Sequence, residues 1–206
     1  MEKEVKEKLT IAILGRSGCG KGTQAHLLVN RLKRRGVIHI STGALLRDLM
    51  HDSTPTGHIT RSIMERGRLH PSWIAAYTWL KIIIEGNGAA KDMVFDGAPR
   101  RVWEVKLLDE VMKWHGRPLP ICLYIDVSRG ETMRRLLARK RADDTVAAIK
   151  SRLDYFPKEV VPALRYYKKE GRLITINGNQ APDRVWKEID AAFGKRLGKQ
   201  WPRASR

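Results

Sequence analysis

The sequence predicts an α/β domain in which helices cover both faces of a parallel β-sheet. Three observations support this: short apolar runs typical of buried strands, amphipathic stretches between them, and a glycine-rich turn after the first run. Strands that alternate with helices imply right-handed crossovers, which make neighbouring strands parallel. The 206 residues, of which 42% are hydrophobic, suffice for one domain with a full core.

Five apolar runs are predicted to be the strands of this sheet. They are residues 9–14, 37–40, 93–96, 121–126 and 173–177. Helices are predicted at 24–35, 44–51, 59–66, 73–85, 102–115, 131–139, 145–156, 160–170 and 182–196. The segment 52–57, which contains Pro55, is predicted to be a loop.

The turn after the first strand has the spacing of a phosphate-binding loop. Gly15 and Gly20 are separated by four residues, and Lys21 follows directly. Glycines allow successive backbone N–H groups to face one anion, the start of the next helix adds partial positive charge, and the lysine reaches the terminal phosphates. Thr23 supplies a hydroxyl for Mg2+, although Gly22 stands where the general pattern has Ser or Thr. A dinucleotide-binding fingerprint fits less well, because Thr23 occupies the place of its third glycine.

Two predicted strands end in a carboxylate that could bind magnesium through water. Asp96 closes the third strand and Asp126 the fourth, at the edge of the sheet where Gly15 and Ser41 are also expected. Such a carboxylate holds Mg2+ in phosphate-loop enzymes, whereas a strand-end Asp elsewhere often caps a turn. We favour Asp96 for the metal.

Charge and cysteine content limit the classes of function. The formal net charge of +18 suits an anionic substrate in a cleft, or nucleic acid on a distributed positive face. Basic residues cluster at 31–35, 168–169 and 195–206, which predicts solvated faces or frayed ends, so nucleic-acid binding is expected to be non-specific at most. Cys19 and Cys122 are too few for a zinc cluster and fit a reducing compartment. With no signal peptide and no membrane-length apolar run, a cytoplasmic protein is expected.

Four motifs, in order, resemble those of the adenylate kinase family of nucleoside monophosphate kinases. They are Gly18-x-Gly20-Lys21-Gly22-Thr23-Gln24, Ser41-Thr42-Gly43-x-Leu45-Leu46-Arg47, Asp96-Gly97-x-Pro99-Arg100, and Arg141-x-Asp143-Asp144 with Arg152. The resemblance runs from about residue 9 to residue 196 and accounts for the intervening Gly22. It implies a three-layer αβα phosphate-loop fold with a five-stranded parallel sheet, a helical region for the nucleoside monophosphate (NMP) and a lid over ATP.

The resemblance also implies boundaries within one kinase domain. The core would comprise residues 9–41, 72–138 and 145–196, with the NMP-binding region at 42–71, a very short lid at 139–144 and a basic C-terminal tail at 197–206. Only Lys140 lies between Arg139 and Arg141, so no zinc-binding insertion is expected.

Site residues follow from the resemblance position by position. The ATP-binding set would be Gly15, Gly18, Cys19, Gly20, Lys21, Gly22, Thr23 and, against the base, Arg135. The NMP-binding set would be Thr42, Arg47, Gly97, Arg100, Glu104, Arg141 and Arg152. The catalytic set, which gathers positive charge around the transferred phosphoryl group, would be Lys21, Arg100, Arg139, Arg141 and Arg152. Thr23 would bind Mg2+ directly, and Asp96 would bind it through water.

The resemblance implies that a monomeric adenylate kinase converts ATP and AMP reversibly into two ADP. Thr42 favours AMP, since pyrimidine-specific relatives often carry Ala at this position. Glu104 stands where adenylate kinases carry the Gln that reads adenine, and a carboxylate, which only accepts hydrogen bonds, would suit guanine better. The alternatives are a kinase for GMP, or for CMP and UMP, and another phosphate-loop kinase that acts on a small metabolite. The net charge of +18 leaves open a non-catalytic nucleotide or RNA binder on the same fold.

Overall fold

The computed structural model describes residues 7–86, 88–139, 141 and 144–202. Its strands form one parallel five-stranded sheet, as predicted, and the strand order is β2-β3-β1-β4-β5. The strands are β1 (Thr10–Leu14), β2 (Val37–Ser41), β3 (Asp92–Asp96), β4 (Ile121–Asp126) and β5 (Leu173–Asn177).

Helices connect these strands and flank the sheet. They are α1 (Lys21–Leu32), α2 (Thr42–Leu49), α3 (Pro55–Glu65), α4 (Ser72–Glu85), α5 (Val102–Trp114), α6 (Arg129–Arg139), α7 (Val146–Tyr155), α8 (Val161–Lys169) and α9 (Pro182–Leu197). One turn of π-helix, Phe156–Val160, joins α7 to α8. In the described part of the chain, no helix combines the length and the apolar character that a bilayer crossing needs.

The alternation of side chains along β1 creates the three layers. Ile11 and Ile13 pack in a cluster with residues of α1 and α9. Ala12 faces the other side, with α4 and α5, and Leu14 packs there with α5 and α8. Burying a large apolar side chain in such clusters contributes about 1.5–3 kcal/mol, so the core on both faces holds the sheet in place.

The start of α3 differs from the prediction. Residues 55–57, expected in a loop, are its first turn. Pro55 occupies the first helical position, where a missing N–H costs nothing, and the side chain of Thr54 accepts a hydrogen bond of 3.1 Å from the Gly57 N–H. A proline after a threonine therefore starts this helix.

The basic cluster at 31–35 and the described segment after α9 are solvated only in part. Lys33, Arg34 and Lys199 are exposed, as predicted, whereas other residues of these two stretches contact the fold. Arg31 pairs with Asp190 at 2.6 Å, and Arg35 binds both carboxylate oxygens of Asp92, which is fully buried. Trp201 is 7% exposed, stacks on Phe193 and donates its indole N–H to Asp190. Asp190 and Asp92 therefore bind Arg31 and Arg35, and Asp190 also holds Trp201 against the fold.

Candidate functional site

A cleft of about 800 Å3 opens at the carboxyl ends of the central strands. Sheet register brings three chain segments to this edge, because Asp96 pairs with both Ile13 and Ser41. Among the predicted site residues, those that line the cleft are Gly15, Gly18, Gly20, Lys21, Gly22, Thr23, Arg47, Asp96, Gly97, Arg100, Arg135, Arg139, Arg141 and Arg152.

The turn between β1 and α1 forms the floor of the cleft. Gly18 and Gly20 adopt φ angles of +83° and +96°, which favour glycine, and a Cβ on Gly18 would lie 2.7 Å from Leu136. The α1 helix begins directly after Gly20, so its free N–H groups and the positive end of its dipole face the cleft. Lys21 Nζ donates to the carbonyls of Gly15 and Arg16 at 3.0 and 2.9 Å. The arrangement suits a chain of phosphates.

Asp96 and Thr23 offer oxygen atoms beside this turn. Asp96 Oδ2 would lie 3.6 Å from a Cβ on Gly22, which places the carboxylate next to the first turn of α1. No group of three or more His, Cys, Asp or Glu suited to a metal occurs in residues 7–86, 88–139, 141 and 144–202. The oxygen atoms of Asp96 and Thr23 fit Mg2+, which prefers oxygen ligands and takes most of them from substrate phosphates and water. Asp126, in contrast, is half-exposed and accepts a hydrogen bond from Tyr124.

Arginines from several helices and loops also line the cleft. Arg100 is fixed by two hydrogen bonds, from Nε to the Gly97 carbonyl at 2.6 Å and from Nη1 to the Tyr155 hydroxyl at 3.1 Å. Gly97 has φ +83°, and a Cβ there would lie 3.1 Å from the guanidinium. The glycine thus allows Arg100 to fold back over the end of β3.

Asp144 organises two further arginines. Both of its oxygens accept hydrogen bonds of 2.8 Å from Arg139, and one also accepts a bond of 2.7 Å from Arg152. Burial would raise the pKa of Asp144, but the hydrogen bonds and charges of the two arginines outweigh it, and the pKa lies below its ordinary value. Asp144 is therefore ionised and holds both cations at the cleft. Arg141 lines the cleft as well, whereas Lys140, Ala142 and Asp143 of the predicted lid lie outside the described residues.

Three predicted site residues lie behind the wall of the cleft in the described structure. Glu104 is 2% exposed, and its carboxylate accepts a hydrogen bond of 2.8 Å from the backbone N–H of Arg100. Thr42, 3% exposed, has a hydroxyl for which the described residues provide no partner. Cys19 is buried, with Sγ 3.7 Å from Lys21 Nζ. Glu104 thus supports the turn that carries Arg100 in place of the expected contact with a base.

Several cleft residues were not predicted from the sequence. His39 lies two residues before Ser41 on β2, and both line the cleft. Side chains alternate along a strand, so this spacing could have indicated that His39 lies on the same face as Ser41. His70 is 4% exposed, and burial, followed by the charge of Arg100, lowers its pKa to about 4. Tyr155 reaches the cleft from the end of α7. Neither His70 nor Tyr155 belongs to a motif, so no local signal marks them.

Comparison with known proteins gives concordant matches. A family model described as adenylate kinase matches residues 13–172. An adenylate kinase of Parabacteroides distasonis is 34% identical over 188 residues, which cover 89% of this chain and 97% of that protein. Adenylate kinase 1 of Nostoc sp. is 33% identical over 184 residues, 89% of this chain and 98% of that protein. An adenylate kinase of Thermus thermophilus is 35% identical over 188 residues, 89% and 96% respectively.

Proposed function

The chain belongs to the adenylate kinase family, and we propose that it transfers a phosphoryl group reversibly from ATP to AMP to give two ADP. The observation that carries the proposal is one cleft lined both by the glycine turn with Lys21 and by Arg47 and Arg100. A cleft that contains both sets of anion-attracting groups would suit two nucleotides whose phosphates meet.

The glycine turn would bind ATP. Its amides and the N-terminus of α1 complement the phosphate charge, and Lys21 would exchange its two backbone carbonyls for phosphate oxygens. Arg135 lines the same side and is held by Glu131 and the Gly178 carbonyl, where it would lie against the base. Magnesium, when bound with ATP, would neutralise charge on the phosphate oxygens, and Thr23 and water bound to Asp96 would hold it.

The acceptor nucleotide would lie on the opposite side. Arg47 and Arg100 would bind its phosphate, since a guanidinium matches two oxygens of a phosphate at once. We propose that residues 42–71 form the NMP-binding region, because Met64, Gly67 and Arg68 from this stretch also line the cleft. Thr42 and Glu104 would act indirectly, from behind the wall.

The transferred phosphoryl group would meet the positive charge of Arg139, Arg141 and Arg152. Phosphoryl transfer needs in-line placement and cancellation of charge on the oxygens more than it needs covalent help. No general base is required, because the attacking phosphate oxygen is already ionised near neutral pH. The chain's contribution is the array of cations that Asp144 holds in place.

A phosphotransfer assay with several acceptors tests the proposal. Purified protein would be incubated with Mg·ATP and AMP, GMP, CMP or UMP, and the products separated and quantified. We expect kcat/KM to be highest for AMP. A preference for GMP would change the assigned acceptor, and ATP binding without transfer to any acceptor would indicate a non-catalytic nucleotide binder.

We further propose that the protein acts as a monomer in the cytoplasm and binds nucleic acid only non-specifically. The proposal on nucleic acid is supported by Arg31 and Arg35, which pair with carboxylates and so add less free charge to the surface beside Lys33 and Arg34. Binding to duplex RNA that persists at high salt would contradict this, because non-specific contacts to phosphates weaken steeply as salt rises.

A further inference from the structure

Tyr155 lies where its hydroxyl meets the guanidinium of Arg100. It is the last residue of α7 and lines the cleft. Its oxygen accepts a hydrogen bond of 3.1 Å from Arg100 Nη1, across 55 positions of the chain. The contact therefore joins the segment after β3 to the end of α7.

Arg100 is held at two points of its planar group. Nε donates to the Gly97 carbonyl at 2.6 Å, and Nη1 donates to Tyr155. A guanidinium carries five N–H groups, so these two bonds leave three for an anion in the cleft. Two anchors at different nitrogen atoms prevent the plane from rotating, which fixes the direction in which the remaining N–H groups point.

The turn that follows Tyr155 is linked to the residue that precedes α5. This π-helical turn contains Glu159, which pairs with Arg101 at 2.6 Å. Arg101 also donates to the carbonyl of His70 at 3.0 Å. Arg101 thus links the turn after α7 to the segment before α4. These contacts hold Tyr155 close to Arg100.

The Tyr155 hydroxyl orients Arg100 without adding a negative charge to the cleft. A carboxylate at Tyr155 would orient Arg100 equally well, but its charge would oppose an incoming phosphate and cancel part of the attraction. A phenol accepts the hydrogen bond without carrying charge. Both anchors of the Arg100 guanidinium are therefore uncharged, whereas Arg139 and Arg152 share the carboxylate of Asp144.

We propose that Tyr155 is a positioning residue that directs the Arg100 guanidinium toward the phosphate of the acceptor nucleotide. The inference rests on the proposed function, in which Arg100 binds that phosphate. It extends the acceptor site to a residue outside the four sequence motifs. Loss of the Tyr155 hydroxyl should weaken binding of the acceptor nucleotide and leave ATP binding unchanged, because Tyr155 acts through Arg100.

The test compares Tyr155→Phe with the wild-type protein by calorimetric titration with AMP and, separately, with ATP. Phe keeps the ring and removes only the hydroxyl. We expect AMP affinity to fall about tenfold or more, the usual effect of losing a hydrogen bond to a charged group, while ATP affinity and the melting temperature stay unchanged. Tyr77→Phe is the matched control, because Tyr77 is 53% exposed on α4, and it should leave both affinities unchanged. AMP affinity within twofold of wild type in Tyr155→Phe would overturn the inference.

A double-mutant cycle separates positioning from simple packing. In an Arg100→Ala background, Tyr155→Phe should produce no further loss of AMP affinity, because the group it orients is gone. Additive losses would overturn the inference. The phosphotransfer assay tests the proposed function independently. A wild-type protein that binds AMP but transfers no phosphoryl group would contradict the proposed activity. The AMP titrations would still decide the role of Tyr155.

Discussion

Asp144 accepts a hydrogen bond of 2.7 Å from Nη1 of Arg152, in a contact where the two side chains are only 1% and 10% exposed. Its carboxylate also binds Arg139, so it brings two cations to the cleft with a single negative charge. Both guanidinium groups line the cleft at the place proposed for the transferred phosphoryl group.

Replacing this carboxylate should therefore impair the chemical step. In Asp144→Asn, the side chain keeps its size but loses its charge and half of its acceptor capacity, so Arg139 and Arg152 lose their fixed orientation. We expect kcat to fall about tenfold or more, the scale of losing one well-placed electrostatic interaction. Steady-state phosphotransfer kinetics measure it. Asp154→Asn is the control, because the Asp154 side chain is 65% exposed. The kcat of this control should match that of wild type. An unchanged kcat in Asp144→Asn would contradict the role assigned to Asp144.

Lys21 should be essential for turnover. Its ammonium group places a positive charge at the glycine turn, and Lys21→Ala removes this charge together with two hydrogen bonds to carbonyls of the turn. We expect kcat/KM to decrease by about two orders of magnitude or more. Lys33→Ala, at an exposed position after α1, is the control and should behave as wild type. Wild-type turnover in Lys21→Ala would remove this residue from the mechanism.

His70 should make the folded state sensitive to mild acid. Its pKa is lowered from 6.5 to about 4, chiefly by burial. As pH falls below 6.5, the unfolded chain therefore takes up a proton that the native state refuses until about pH 4, and stability is lost across this window. From pH 7 to pH 5, this one group should lower the free energy of unfolding by about 2 kcal/mol.

Urea unfolding at pH 7, 6 and 5 measures this effect. In His70→Gln, the loss of stability between pH 7 and pH 5 should be smaller than in wild type by that amount. His51→Gln, at an exposed position, should keep the wild-type dependence on pH. If the free energy of unfolding changed equally with pH in wild type and in His70→Gln, the lowered pKa of His70 would be contradicted.

Trp201 should stabilise the fold although it lies far along the sequence from the cleft residues. Its ring is 7% exposed and stacks on Phe193 at a centroid distance of 4.9 Å. We expect Trp201→Ala to lower the free energy of unfolding by about 3–5 kcal/mol, with kcat/KM unchanged at a temperature where the variant is folded. Trp114→Ala, with 82% of the side chain exposed, should change stability by no more than about 0.5 kcal/mol. Equal stabilities of the two variants would contradict the packing role.

Local patterns explain why the sheet and the glycine turn could be predicted from the sequence. The strand spans 121–126 and 173–177 match the structure, because each run is apolar, short and bounded by polar or turn residues. The turn from Gly15 to Lys21 was equally clear, since its spacing and its place between a strand and a helix carry the signal. Helix starts were harder: the Thr54 side chain that caps α3 resembles an ordinary loop residue in the sequence.

Contacts between distant residues explain what could not be predicted. Arg31 and Arg35 form part of a basic run, and only the folded chain brings Asp190 and Asp92 to them. Glu104 was assigned to the acceptor base by position, whereas its carboxylate binds the backbone of Arg100. Tyr155 reaches the cleft because of where α7 ends, which no spacing in the sequence reveals.

Arg35 joins both ends of the described chain at one point. Its Nη2 donates to the Glu7 carbonyl at 2.6 Å and its Nη1 to the Gln200 carbonyl at 3.2 Å, beside Asp92 at the start of β3. The cleft lies at Asp96, at the other end of that strand and roughly 13 Å away along it. Fluorescent labels or affinity tags attached at this edge would stay a strand's length from the bound nucleotides. A short linker between positions 7 and 202, which retains Trp201, would likewise give a circularly permuted enzyme whose new connection leaves the cleft open.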